Sequence, residues 1–453
     1  MSLTSCPTVF IAVETKAREL DGKLLLTANL LNRQIRVAIG SRKGIFRELR
    51  HFKNGAFIAK SISEENSTQY RELVKNGNLL TVLNVEGGVF YKDDTEDFIH
   101  SYPTKITDNF SYIFLFGEQT KKSFLRVFHE FEEKKLLVSG DPRFDLLKEK
   151  YLPFFLNSIR EIEKDFSPFI LVNTSFGLTN PYVGFDKLFE FMKKNVGYKE
   201  SILNNLKMKS EVLAPVLEEY IETIKEISKC FDEINFVVRP HPSELPDTYI
   251  QAFSDCSNVY VTNENNVYNW ILASEAVVHY DCTTGIEAVL AGKPTISYVP
   301  MKNEAVFAWL PAYVSLELNK KKQLKDTIHK ILEKEQSWEL SKKRKSILNA
   351  YIANVEISSS DVIATLMERE LLKLPKGKYC KIVSLCWQRN KSQLKSMKSS
   401  LEKKKKKSIT EVKFDRWTKE ELREKVTLLS KIEGFENSFK LKKLGSDVYL
   451  FIP

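Results

Sequence analysis

Short apolar runs alternate with amphipathic helical stretches along most of the chain, the pattern of repeated strand–helix units in a parallel sheet. The first run is Thr8 to Val13, followed by a loop carrying Glu14, a helix from about Arg18 to Arg33 and a second strand over Ile35 to Ile39. Further strands are predicted at Leu79 to Leu83, Tyr112 to Phe116 and Leu136 to Val138, each followed by polar or glycine-containing residues. Together they predict one doubly wound α/β domain over residues 1–160. The pattern restarts at Phe169 to Val172, passes through a long helical stretch at about Ser210 to Cys230, and continues with strands at Ile234 to Val238, Val259 to Thr262, Ala276 to His279 and Pro294 to Tyr298. A second α/β domain is therefore expected over 161–345. Sheets of this kind bind ligands beyond the C-terminal ends of their strands, so the expected architecture is two Rossmann-like domains facing a cleft. Residues 346–453 read as a C-terminal extension, with helices near Ile347 to Ile352 and Ser359 to Leu374 and a closing strand at Asp447 to Phe451.

A length of 453 residues has room for both domains and the extension. With 43% hydrophobic and 28% charged residues, the composition is that of a globular protein and excludes wholesale disorder or a coiled-coil rod. No stretch approaches the roughly 18 to 20 apolar residues of a membrane span, and Met1 to Phe10 lacks a basic segment followed by an apolar core. A cytoplasmic location is expected. The six cysteines are scattered, with no C-x-x-C pair and no histidine at ligand spacing, so neither a metal nor another cofactor is expected. The net charge of +10 is local in origin: from Lys373 onward there are 22 Lys and Arg against 9 Asp and Glu. The rest of the chain is mildly acidic, which makes nucleic acid an unlikely partner. The run Lys403 to Lys407 reads either as a solvated face or as a peripheral contact with anionic membrane at its inner face. His51, His100, His129 and His329 are isolated and carry no chemistry in this reading.

Two segments of the second domain carry candidate chemistry. In Arg239-Pro240-His241-Pro242-Ser243-Glu244, directly after a buried strand, prolines fix the backbone on both sides of His241. Arg239, His241 and Ser243 then offer hydrogen bonds to a phosphate or carboxylate at the sheet edge. In His279-Tyr280-Asp281-Cys282-Thr283-Thr284-Gly285-Ile286-Glu287, a strand ends in small hydroxyl residues and a glycine that open a helix. Free N–H groups at such a helix start suit a phosphate, and Glu287 one turn later suits a ribose diol. The plainer reading makes Thr283 or Thr284 the helix N-cap.

These two segments, about forty residues apart and followed by Gly292-Lys293-Pro294, resemble the donor domain of GT-B glycosyltransferases that act on bacterial surface polysaccharides. The runs Val13-Glu14-Thr15-Lys16-Ala17-Arg18-Glu19-Leu20-Asp21-Gly22-Lys23 and Ser139-Gly140-Asp141-Pro142-Arg143-Phe144-Asp145 resemble the family called surface carbohydrate biosynthesis proteins. That resemblance covers about residues 8–345. It implies a nucleotide-sugar donor on the second domain and a glycan or lipid-linked glycan acceptor on the first, with Asp21, Asp141, Arg143, Asn173 and Ser175 as acceptor or cleft residues. Related folds include nucleotide-sugar epimerases, CDP-polyol phosphotransferases and capsule Kdo transferases. The chain departs from the retaining Kdo group, since Val172-Asn173-Thr174-Ser175-Phe176 has no carboxylate at the expected nucleophile position, which favours an inverting transfer. It departs from the epimerases too, having Asp281-Cys282-Thr283-Thr284-Gly285 where they carry Asp-Ser-Gly-Gly.

An inverting transfer needs a base for the acceptor hydroxyl and no metal if donors neutralise the leaving phosphate. Glu86, after a strand and before Gly87-Gly88, and Glu14, at the end of the first strand, are the candidates, and spacing does not assign their roles. Gly117-Glu118-Gln119 forms another strand-end loop of the same edge. The donor expected first is a CMP-ulosonic acid, then a UDP-sugar. A catalytically idle carbohydrate-assembly scaffold is the remaining alternative.

Overall fold

The computed structural model describes residues 7–60, 66–83, 109–193, 200–304, 306–335, 338–376, 378–379, 417–436, 438–445 and 447–453. These divide into two compact units. One is built from the described residues of Met1–Gly87, Glu96–Phe154 and Asn349–Pro453, the other mainly from Phe155–Leu348. Each has its own largely parallel sheet, the α/β class that the alternating apolar runs predict.

The first unit contains β1 (Thr8–Val13), β2 (Arg36–Ser41), β3 (Phe52–Lys53), β4 (Ala56–Ala59), β5 (Leu79–Leu83), β6 (Tyr112–Leu115) and β7 (Leu136–Val138). Strands β2-β1-β4-β5-β6-β7 lie side by side and run parallel. β1 is buried along its whole length, as its unbroken Thr-Val-Phe-Ile-Ala-Val run requires of a strand covered on both faces. β4 is equally buried but only four residues long, between Asn54-Gly55 and Lys60, too short to show a period in the sequence.

The second unit contains β8 (Phe169–Asn173), β9 (Asn235–Arg239), β10 (Val259–Val261), β11 (Ala276–His279), β12 (Thr295–Tyr298) and β13 (Leu316–Leu318). Their order is β10-β9-β8-β11-β12-β13, all parallel. In chain order this is 3-2-1-4-5-6, the dinucleotide-fold arrangement, whose direction of winding reverses between the first strand and the fourth. On one face, the helix Glu200–Ser228 contributes Val216, Tyr220 and Ile224 to a core with Ile170, Val238 and Val278.

The C-terminal residues differ from the expectation of a separate extension. β14 (Lys378–Tyr379) pairs antiparallel with β3. β15 (Lys440–Lys443) and β16 (Val448–Ile452) form a hairpin whose second strand pairs antiparallel with β2, Val448 opposite Gly40 and Phe451 opposite Val37. The reason is physical: β2 would otherwise end the sheet with unpaired N–H and C=O groups, and Val448 to Phe451 bury four side chains in covering it. Helices Ser359–Leu372 and Lys419–Ile432 both pack on helix Lys16–Asn32. Lys425 meets Asp21 at 2.7 Å and Lys16 meets Glu421 at 3.1 Å. Asp145, wholly buried, accepts from the first N–H groups of the Ser359–Leu372 helix, Ser359 at 3.0 Å and Ser360 at 2.8 Å, and so caps that helix from elsewhere in the chain. Among the described residues no helix is long and apolar enough to cross a membrane. Glu86 and the Lys403 to Lys407 run lie outside the described residues.

Candidate functional site

In the second unit the polar groups gather where the winding reverses, at the C-terminal ends of β8 and β11. Ser175, two residues past β8, donates to Asp281 Oδ1 at 2.6 Å, two residues past β11, so one hydrogen bond spans the reversal point. The other carboxylate oxygen of Asp281 accepts from Ala308 N–H at 3.1 Å. Burial pushes the Asp281 carboxyl up to about 6, although both donors pull it down.

β9 feeds the same edge. Glu244, with no exposed surface, accepts from Thr174 Oγ1 at 2.9 Å, Phe176 N–H at 3.0 Å, His241 N–H at 3.1 Å and the Tyr249 hydroxyl. It thereby ties the loop after β8 to the loop after β9. Burial raises its carboxyl above the ordinary range against the pull of these donors. His241 is exposed. Its Nδ1 accepts from Ser243 N–H at 3.2 Å and lies 2.7 Å from Ser243 Oγ. A ring nitrogen that accepts carries no proton, so neutral His241 keeps its proton on Nε2. Gly177 lies close to this loop: a Cβ on it would lie 2.2 Å from Ser243 Oγ, so that hydroxyl would have to turn away.

Beyond β11 the helix Thr283–Leu290 begins at the N-cap Cys282, whose carbonyl accepts from Gly285 N–H at 2.9 Å. Neither Thr283 nor Thr284 is the cap, which corrects the plainer sequence reading. The first N–H groups of such a helix have no acceptor within it. Gly285 has a packing role as well, because a Cβ there would lie 2.3 Å from His279 Nε2. Ser315 gives its hydroxyl hydrogen to Pro311 O at 2.6 Å, so it accepts from His279 Nε2 at 2.9 Å. Burial holds His279 neutral, its pKa lowered to about 3. Asn173 stands opposite His279 in the β8–β11 register, and side chains at paired positions of a parallel sheet share a face. Asn173 thus lies on the face covered by this helix, 2% exposed, and its Nδ2 has no hydrogen-bond partner among the described residues.

Two donor candidates are more enclosed than the sequence suggests. Arg239 is 8% exposed; it donates to Glu264 O at 2.6 Å and Asn265 O at 3.2 Å and lies over the Trp270 ring. Burial lowers its pKa to about 10. This guanidinium holds the 264–265 loop. Glu287 is buried within its helix.

In the first unit the winding reverses between β1 and β4. There Glu14, at the end of β1, meets Lys60, at the end of β4, at 3.2 Å, and its second oxygen meets Arg42 at 3.3 Å. Beneath it, buried Glu19 accepts from Glu14 N–H at 3.1 Å and Thr15 N–H at 3.3 Å and pairs with Lys23 at 2.6 Å and Lys60 at 3.4 Å. Burial alone would raise its carboxyl; Lys23 and Lys60 outweigh that and hold it at about 2. The other first-unit candidates serve packing. Asp141 caps the turn Pro142–Asp145 by accepting from Arg143 N–H at 2.9 Å, and both residues are 3% exposed. Gly22 admits the Arg143 backbone, which would lie 2.6 Å from a Cβ on it. Asp21 pairs with Lys425.

Sequence reasoning assigned no role to Asp281, Glu244, Glu19 or Lys60. Glu244 and Asp281 stand inside the quoted motifs, but which loops they join depends on strand order.

No family model matches the chain, and no curated protein does. Among solved structures, it is similar to UDP-GlcNAc 2-epimerase from Methanocaldococcus jannaschii at 12% identity and a TM-score of 0.49, over 80% of this chain and 99% of that one. A variant of the wall teichoic acid polymerase TagF soaked with CDPG gives 10% identity and a TM-score of 0.48, over 81% and 89%. UDP-GlcNAc 2-epimerase from Neisseria meningitidis bound to UDP-GlcNAc gives 13% and 0.45, over 81% and 99%. At TM-scores below 0.5, function is read from this chain's own residues.

Proposed function

We propose that this protein is a sugar-nucleotide enzyme of the GT-B kind, a glycosyltransferase that moves a sugar from a nucleotide-sugar donor to a surface glycan or lipid-linked acceptor. The observation that carries this reading is the 3-2-1-4-5-6 sheet of the second unit, with Ser175, Asp281, His241 and the start of the Thr283–Leu290 helix at the ends of its strands. Nucleotides bind such sheets at the reversal point, with phosphate at a helix start. The buried, unpartnered Asn173 Nδ2 on the face beneath that helix favours a ligand there as well. In this reading His241 Nε2–H and the helix-start N–H groups neutralise the leaving phosphate without a metal, and Ser243 orients the imidazole. Glu14 or Glu86 takes the acceptor proton. Lys60 and Arg42 each meet one oxygen of Glu14, and the remaining lone pairs of its carboxylate would take the proton. A CMP-ulosonic acid is the preferred donor, ahead of a UDP-sugar.

Thermal melts with CMP, CDP, UDP, GDP and dTDP test the reading. Stabilisation by one base type, lost in His241→Ala, is expected, since a ligand that binds only the native state raises the midpoint. No shift with any of the five defeats it. Interconversion of a UDP-sugar without acceptor would assign epimerase activity to the same site, and consumption of a CDP-polyol would assign phosphotransfer.

A further inference from the structure

We infer that Asp281 is a proton-linked latch of the donor site, taking up one proton when an anionic phosphate ligand settles at the start of the Thr283–Leu290 helix. The inference rests on the donor-site reading above.

The geometry comes first. Asp281 immediately precedes the N-cap Cys282, one residue outside the helix start to which a phosphate would come. Its two oxygens hold Ser175 Oγ from the β8 loop and Ala308 N–H from the segment after β12. The carboxylate therefore closes the reversal point as an internal anion. A ligand phosphate arriving beside this partly buried carboxylate brings a second negative charge close to the first, and like charges repel.

That repulsion is relieved when the carboxylate takes a proton from solvent, and little energy separates its two forms near neutrality, because burial has already moved its pKa to about 6. His241, after β9, is an imidazole, and burial also raises the Glu244 carboxyl at the same edge, so the proton of Asp281 is read as the difference between wild type and Asp281→Asn. Tyr280 and Cys282, its chain neighbours, are both raised by burial, Cys282 to about 11. Tyr220, from the Glu200–Ser228 helix, is raised well above its ordinary value by burial. Glu287, in the Thr283–Leu290 helix, lies toward Cys282. Once protonated, Asp281 keeps one oxygen for Ala308 N–H and gains an O–H with which to donate. The latch then becomes a phosphate donor, and Ser175 Oγ–H is released to the ligand. The buried amide nitrogen of Asn173 adds a further donor on the helix face of the sheet.

The test is calorimetry of the full-length protein at pH 7.5 with CMP, CDP, UDP, GDP and dTDP, in two buffers of different ionisation enthalpy. The slope of heat against buffer enthalpy counts the protons taken up. Wild type is expected to take up close to one proton more than Asp281→Asn, with that excess weakening affinity by up to about tenfold per pH unit above pH 7. Asp281→Asn, which has no proton to gain at this position, is expected to bind at least as tightly at pH 7.5 with a count lower than wild type by close to one. Ser175→Ala removes a donor that favours the ionised carboxylate, so its count should fall part-way. Binding with equal counts in wild type and Asp281→Asn overturns the inference and leaves the donor site standing. Absence of heat with all five nucleotides overturns both.

Discussion

Asp281→Asn tests the electrostatics of the second unit without any ligand. The folded state holds the carboxyl at about 6 against 3.8 for an ordinary aspartate. A difference of about 2 units corresponds to about 3 kcal/mol of stability lost once both states are ionised. The sign follows from the raised value. Below pH 3.8 the acid is protonated in both states and costs nothing. Between there and pH 6 the unfolded chain releases its proton first, so stability falls as pH rises, and above pH 6 the loss is complete. Asparagine keeps the shape and accepts from one of Ser175 and Ala308, losing one hydrogen bond worth about 1 kcal/mol. The variant should therefore be more stable than wild type by about 1 to 2 kcal/mol at pH 7.5. Between pH 4.5 and 7.5 its advantage should grow by about 2 kcal/mol. Urea unfolding at both pH values measures this, with Trp270 buried in the same unit as a fluorescent reporter. An advantage that does not change with pH would show that Asp281 ionises normally in the folded protein and refute the reasoning.

Gly177→Ala places a methyl 2.2 Å from Ser243 Oγ, so it should turn that hydroxyl away from His241 Nδ1 and weaken nucleotide stabilisation. The double variant Gly177→Ala/Ser243→Ala leaves only the Ser243 Cβ, at 3.3 Å, and should keep the loop in place; an equal loss of fold, by circular dichroism, in both variants would contradict this account. Truncation before Trp417 removes the Lys419–Ile432 helix and β16 and should unfold the first unit or lower its melting temperature by 10 °C or more. Equal melts for the truncated and full-length chains would mean that the β2 edge does not need covering.

The sequence alone determined the class of the fold and the addresses of its loops. Runs such as Phe169 to Val172 and Ala276 to His279 are apolar on both faces, which only strands covered on both sides tolerate. The residues that end them, Glu14, Ser175, His241 and Asp281, thus fall at the ligand-binding edge whatever the strand order. Local chemistry was legible too: Asp141 before Pro142 marks a capped turn, and the structure has one. What the tertiary structure decided is which of these loops meet. Only the β8–β11 neighbourhood puts Ser175 against Asp281, 106 residues away, and only the β1–β4 neighbourhood puts Glu14 against Lys60. Periodicity is a property of ten residues at a time, so it cannot report that Arg239 turns inward to Glu264 O, nor that Val448 to Phe451 return to cover β2. Those choices are made by burial and by unpaired backbone groups, which exist only once distant segments have been brought together.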